Sequence, residues 1–185
     1  MEALEKITSA IGKKLGSRKP SLDRDDNLWD AAVLLPLVNT QQGVSVLFEV
    51  RAAKLGWQPG DVCFPGGRAE CSDESFEATA VRETCEELGL ESSSIKIAGG
   101  LNYLVTHMGP VIHPYVGYIE HSGQFNFNKD EVEEVFIVPL DFLLKNPNLK
   151  QMVVNTLGYN AIFLTTGTIL SVLVAVFLNE LCDKF

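Results

Sequence analysis

An α/β domain built on a mixed β-sheet is the fold class the sequence predicts, and three observations predict it. Strand-like runs rich in β-branched and aromatic residues occur at 31–38, 44–51, 95–106, 111–119 and 132–138. Apolar residues at helical spacing precede them at 2–15 and interrupt them at 74–88. With 185 residues, 46% of them apolar and 21% charged, the chain can bury one core and is too apolar to stay disordered. Strands interspersed with a few helices make a layered α/β domain.

Leu4, Ile7, Ile11 and Leu15 recur at three- and four-residue spacing, which predicts an amphipathic helix over 2–15 that Gly16 ends. Residues 1–27 therefore read as an N-terminal helix and linker ahead of a domain over 28–185. The runs 31–38 and 44–51 flank Asn39-Thr40-Gln41-Gln42-Gly43 and predict a hairpin. A loop over 51–60 leads to a short extended piece at 61–64. Pro65-Gly66-Gly67 is expected to stop it, since Pro lacks a donor and Gly tolerates unusual backbone angles.

Phe76, Ala80, Val81, Cys85 and Leu88 mark one face of the next helix, with Ser72 or Asp73 as N-cap and Gly89 as its stop. Strands at 95–106, 111–119 and 132–138 follow, and His107 and His113 are read as supporting loop structure. From 161 to 178 no charge occurs, a length at the border of a membrane span. The polar Thr165-Thr166-Gly167-Thr168 cluster and the weakly basic flanks favour a final strand at 161–164 and a buried helix over 168–181 instead.

The net charge is −9, and between Glu70 and Glu91 eight acids face one base, Arg82, which concentrates −7 in that segment. A generic nucleic-acid binder needs a basic surface, so nucleic acid is excluded as a partner and cations are favoured. Cys63, Cys71, Cys85 and Cys182 form no C-x-x-C pair, and the first residues lack the apolar run of a secretory signal. A reducing compartment fits, with neither a zinc site nor a disulfide framework.

On a helix Glu83 and Glu87 lie about 40° apart and Glu86 about 60° to the other side of Glu83, so all three share one face. Such like charges repel, and Arg82, four residues before Glu86, offsets only part of the repulsion. A divalent ion reverses the sign. Oxygen-only ligands favour Mg²⁺ or Mn²⁺, which commonly share a site with substrate phosphates.

The string Gly67-x6-Glu74-x7-Arg82-Glu83-Thr84-x-Glu86-Glu87-x-Gly89-Leu90 resembles the Nudix box. Six residues separate Gly67 from Glu74 where five are usual, so either one residue is extra or Asp73 takes the Glu position; Thr84 stands where an aliphatic is usual. The resemblance implies an α/β/α sandwich and metal-dependent hydrolysis of a nucleoside diphosphate linked to another group. It implies that Glu83, Glu86 and Glu87 hold Mg²⁺ or Mn²⁺ and that Arg82 orients them. Glu86 is the first choice as catalytic base and Glu131 the second.

Ahead of the box, Arg51, Ala52, Gly60 and Phe64-Pro65-Gly66-Gly67 match in spacing the signature of the coenzyme A diphosphatase subgroup. Glu49 stands where that signature has Thr, and Gly56 where it has a second Arg. This likeness implies coenzyme A and acyl-CoA as substrates, 3′,5′-ADP and (acyl-)4′-phosphopantetheine as products, and Arg51, Phe64, Gly66 and Gly67 as substrate-binding residues. The two departures leave another nucleoside diphosphate derivative, a nucleotide sugar or dinucleotide, as the alternative. The likeness is strongest to peroxisomal members, whereas Cys182-Asp183-Lys184-Phe185 is not a Ser-Lys-Leu-type address, which leaves the cytoplasm as the other location. The stretch after Pro139-Leu140 is shorter than in the subgroup, so a truncated, non-catalytic or membrane-tethered form, held through 161–178, is a third reading. Metal count, acyl preference and oligomeric state stay open.

Overall fold

The computed structural model describes residues 2–15, 29–105, 110–120 and 124–145. The expected strand at 161–164, the helix at 168–181, the alternative span at 161–178 and His107 lie outside the described residues. Among those described, no helix is long and apolar enough to cross a membrane.

The expected hairpin forms as β1 (Trp29–Thr40) and β2 (Gly43–Arg51), closed by Gln41-Gln42 with Thr40 opposite Gly43. On its other edge β1 runs parallel to β7 (Pro110–Ile119), from Trp29 opposite Pro110 to Val38 opposite Ile119. β5 (Ile95–Gly100) and β6 (Leu104–Val105) pair antiparallel with β7, and β8 (Val132–Pro139) pairs antiparallel with β2. The single strand expected over 95–106 is thus two pieces. A register shift between Ile97 and Gly99 loosens the pairing, and the Gly99-Gly100 pair offers no side chain to hold it. His113 sits inside β7 rather than in a loop, stacked on Phe76 with ring centroids 3.8 Å apart and bonded through Nε2 to Asp30 at 2.8 Å.

β1 and β2 part company beyond the pair Leu37 and Val46, and the chain between them fills the fork. β3 (Val62–Cys63) pairs with β2 opposite Glu49 and Val50, while β4 (Gly66–Arg68) pairs with β1 opposite Ala31, Ala32 and Val33. β3 ends before Pro65-Gly66-Gly67 as expected, but pairing resumes at once at Gly66, on β1 rather than β2, and the Pro65 carbonyl accepts from the Leu34 N–H at 2.9 Å. Gly66 has φ +151°, and a Cβ there would lie 2.3 Å from the Ala32 oxygen. Only glycine fits.

Side chains alternate across the sheet and feed two cores. Leu35, Leu37, Val46, Phe48 and Phe64 pack on one face with Ile11 of α1 (Glu2–Leu15) and Leu143 of α3 (Leu140–Lys145). Ala32, Leu34 and Leu47 pack on the other with Ala80 and Leu88 of α2 (Phe76–Leu88). Helices cover both faces, which is the expected α/β/α sandwich. α2 starts two residues later than its periodicity indicates: Ser75 is the N-cap, its Oγ accepting from the Ala78 N–H at 3.1 Å. Ser72 and Asp73, the expected caps, sit in the preceding turn, where the Asp73 carboxylate is engaged elsewhere. Gly89 closes the helix at φ +67° with its N–H on the Cys85 carbonyl, as expected.

Candidate active site

The site is built where α2 crosses the fork between β1 and β2. Arg82 points back toward the turn before its helix and is held by Asp73 at two points, Nε to Oδ1 at 2.9 Å and Nη2 to Oδ2 at 3.0 Å. Asp73 also accepts from the Glu70 N–H at 2.9 Å and the Thr79 hydroxyl at 2.8 Å. These donors, the guanidinium first, hold its carboxyl well below the usual carboxylate range. Glu74 is exposed, so of the two candidates for the glutamate position in the box Asp73 is the one that meets Arg82.

The rest of the guanidinium reaches Glu83 Oε1 at 2.9 Å, Glu86 Oε2 at 3.2 Å and the Arg68 carbonyl at 3.1 Å. Arg82 thereby draws two of the three box glutamates to one centre. Glu86 remains open to water, its side chain 54% exposed. Glu83 is closer in: a Cβ on Gly67 would meet its carboxyl carbon at 2.5 Å, so the second glycine makes room for this side chain. Burial raises the Glu83 pKa, against the pull of Arg82.

Glu87 faces the sheet and is buried, with Oε2 accepting from the Gly66 N–H at 2.8 Å. Beneath it Glu49 stands on β2. Alternation from Leu47, which packs against α2, puts Glu49 on the same face. Its Oε1 accepts from the Cys63 thiol at 3.3 Å, and its Oε2 has no partner although the residue is 1% exposed. Burial pushes the Glu49 carboxyl up to about 7, helped by the charges of Glu131 and Glu83 and opposed by Cys63 and Arg51. Glu87 is likewise pushed well above the carboxylate range, by burial first and by Glu49 next. The Cys63 thiol is raised too, by burial first and by the charge of Glu49 next.

Arg51 is a cation of this floor, lowering the pKa values of both Glu49 and Glu87, and its Nε donates to the Trp57 carbonyl at 3.4 Å. Glu131 lies on the exposed loop before β8 and acts electrostatically on Glu49 and Glu83. That loop is tied to the end of α2 through the Asn128 N–H on the Glu87 carbonyl at 2.8 Å. Phe64, expected to touch substrate, instead stacks on Phe48 at 5.0 Å in the α1-side core, away from the carboxylates. Phe64, directly before the proline and two glycines, lies between β3 and β4, and its side chain turns to the face of the sheet opposite α2. In the sequence Glu49 reads only as a departure from a signature, although the alternation of β2 aims it at α2.

Residues 28–155 match the NUDIX domain. The chain belongs to the NUDIX domain family. It is 41% identical over 113 residues to a peroxisomal coenzyme A diphosphatase of Mus musculus, a match covering 61% of this chain and 48% of that protein. It is 35% identical over 153 residues to Nudix hydrolase 3 of Caenorhabditis elegans, covering 80% and 63%. The chain therefore matches about half to five-eighths of the length of these curated relatives. Among solved structures, an Ap4A hydrolase complex of C. elegans aligns with TM-score 0.56 at 14% identity over 84% of this chain and 99% of that one. A Nudix hydrolase of M. smegmatis aligns with TM-score 0.52 at 19% identity over 75% and 92%. At these identities the likeness is of fold.

NUDIX hydrolases use divalent ions such as Mg²⁺ or Mn²⁺, and the donors of this NUDIX site fit one. They are all oxygen, as hard cations require. Glu49 Oε2 is an acceptor with nothing to accept from, and Glu49 and Glu87 are raised by burial beyond what Arg51 offsets, a setting that favours a further cation. Among the described residues no three acidic, His or Cys side chains yet converge as metal ligands. The reason is visible in their bonds: Glu83 and Glu86 turn to Arg82, and Glu87 to the Gly66 N–H.

Proposed function

We propose that this NUDIX domain hydrolyses the diphosphate bond of coenzyme A and acyl-CoAs, giving 3′,5′-ADP and (acyl-)4′-phosphopantetheine, with Mg²⁺ or Mn²⁺ held by Glu83, Glu86 and Glu87. The observation that carries the reading is the stacking of the box glutamates over Gly66-Gly67, joined to the spaced Arg51 to Gly67 signature. The 41% identity to a mouse protein named as a coenzyme A diphosphatase supports the substrate.

When bound, the divalent ion supplies charge neutralisation at the diphosphate and a lowered pKa for water. Arg82 keeps Glu83 and Glu86 oriented, and Asp73 keeps Arg82 in place. Glu86, open to solvent, takes the proton of the attacking water as one P–O bond forms and the bridging P–O bond breaks. Glu131 is the second choice, on a loop able to face the same centre. Arg51, at the end of β2, binds phosphate, and Gly66 and Gly67 serve the site through the glutamates, Gly66 by its N–H on Glu87 and Gly67 by the room it leaves for Glu83.

Coenzyme A turnover with and without Mg²⁺, in wild type and in Glu86→Gln and Glu87→Gln, tests the reading. Loss of turnover in Glu87→Gln and without metal is expected; near-wild-type rates in both variants overturn it. A second reading rests on Glu49 and Gly56, which add a carboxylate and remove a cation relative to the signature. Both favour a ligand less anionic than coenzyme A, such as a nucleotide sugar or dinucleotide. Preference for ADP-ribose in a substrate panel with product mass analysis would establish it, and no turnover in folded protein would mark a non-catalytic form. The mouse relative is peroxisomal by name, which supports a peroxisomal location. Imaging the tagged full chain against a peroxisomal marker tests that location, and a diffuse cytosolic signal overturns it.

A further inference from the structure

Glu49 is absent from the ligand set read from the box, and its surroundings give it no structural purpose. It sits at 1% exposure near the end of β2, where an unpaired carboxylate oxygen is destabilising unless something satisfies it. One oxygen takes only a thiol, a weak donor, and the other takes nothing. A strand residue with a purely structural task would be apolar or bonded, as Ser45 on the same face is, through its hydroxyl to the Gly43 carbonyl.

The position ties Glu49 to the box. Cys63, which donates to Glu49, and Gly66, which donates to Glu87, are three residues apart on one short segment, so the two carboxylates are held by neighbouring donors about 10 Å or less apart along the chain. Their charges act on one another, and Glu83 and Glu131 act on Glu49 as well. Carboxylates from α2, β2 and the loop before β8 thus act on one another electrostatically, with Glu49 and Glu87 tied to one short segment. Arg82 is already committed to Asp73, Glu83 and Glu86, which leaves Arg51 as the cation acting on Glu49 and Glu87. One guanidinium against these carboxylates is a deficit of positive charge in a dry place.

We infer that Glu49 is a further ligand of the divalent metal, reaching it from the sheet with its unpartnered Oε2 while Glu83 and Glu87 reach it from α2. The inference rests on the metal-dependent reading above and adds to it a protein oxygen from below. A site with one more carboxylate binds its ion more tightly and leaves fewer positions for water or phosphate oxygens.

The test is Mn²⁺ binding by the full chain, measured by calorimetry and by the spin-resonance signal of free Mn²⁺. Wild type is compared with Glu87→Gln, Glu49→Gln and Glu49→Thr, the last suited to a strand by its β-branch. Glu120→Gln, whose partner is Lys96 at the far end of the sheet, is the control. Loss of a ligand should weaken Mn²⁺ at least about tenfold, no less than loss of a supporting residue does. Both Glu49 variants are expected to show this while Glu120→Gln does not. Melting in EDTA separates a structural role: the Glu49 variants should melt no lower than wild type, and their gain on adding Mn²⁺ should shrink. If Glu87→Gln weakens Mn²⁺ while both Glu49 variants bind it as wild type does, Glu49 is no ligand and the metal-dependent reading stands. If wild type binds no Mn²⁺, both fall together.

Discussion

Arg82 grips Asp73 with two parallel hydrogen bonds at 2.9 and 3.0 Å, across the nine residues that separate the turn before α2 from its second turn. This pair fixes where the helix begins and how its glutamates face. Each charge-assisted bond is worth about 1.5 to 3 kcal/mol.

Asp73→Asn should therefore destabilise the fold by about 1.5 to 3 kcal/mol, or about 3 to 10 °C in Tm for a chain of this length, and lower turnover by releasing Arg82. Glu74→Gln should change neither. The Asp73 carboxyl is depressed in the fold, so its contribution is present above the unfolded value near 4 and fades as pH falls through the lower folded value. Thermal melts from pH 7 to pH 2 check this, with the two proteins converging at the acid end.

The two box glycines should fail differently. Alanine at 66 would place a methyl 2.3 Å from backbone at a φ that L-residues avoid, so Gly66→Ala is expected to cost several kcal/mol and to be found largely insoluble. Alanine at 67 meets only the movable Glu83 carboxylate. Gly67→Ala should melt within a few degrees of wild type yet lose most metal affinity and turnover. Equal Tm losses in both variants would show that Glu83 is not what Gly67 makes room for.

Without metal, the domain should become less stable as pH rises from about 4.5 through 7. Glu49, Glu83 and Glu87 have raised pKa values, so the folded state keeps protons that the unfolded chain releases, and stability falls with pH over that window. Millimolar Mg²⁺ or Mn²⁺ should reverse the trend, with the gain in Tm larger at pH 8 than at pH 5.5 because protons compete for the same oxygens. Glu49→Gln should flatten the metal-free profile. Differential scanning calorimetry in EDTA and in metal reads both effects.

Capping gives a stability prediction that leaves the chemistry alone. Ser75→Ala should cost about 1 kcal/mol, and Ser72→Ala, whose hydroxyl reaches only the exposed Glu70 side chain, less than about half of that. Equal losses would place the cap earlier than the structure does.

Sequence periodicity carried α1, the β1–β2 hairpin, the Gly89 stop and the two-faced sheet, because each rests on local alternation or a single residue's conformational freedom. It missed what distance along the chain decides. The fork between β1 and β2 is filled by residues some thirty positions away from β1, and no local signal makes Gly66 to Arg68 a strand. Phe64, which the signature implies as a substrate contact, is a core residue because the fold buries it against Phe48. The helix start slipped from Ser72 or Asp73 to Ser75 because Arg82, nine residues on, takes the Asp73 carboxylate. At the site, the box string marked Glu83, Glu86, Glu87 and Arg82, while Glu49 needed the pairing of β2 with β3 to be seen beside them.

The helix α1 bears on how the protein can be handled. The NUDIX match begins at residue 28, yet Ile11 is buried at 7% exposure against Leu35 and Val116, Ile7 packs beside it, and Gly12 lets the helix approach the Ala98 carbonyl of β5 closely. A protein trimmed to the matched segment would strip that lid from one face of the sheet and expose apolar surface worth about 1.5 to 3 kcal/mol for each buried isoleucine. The boundary that a family comparison draws and the boundary that water would draw are here more than a dozen residues apart.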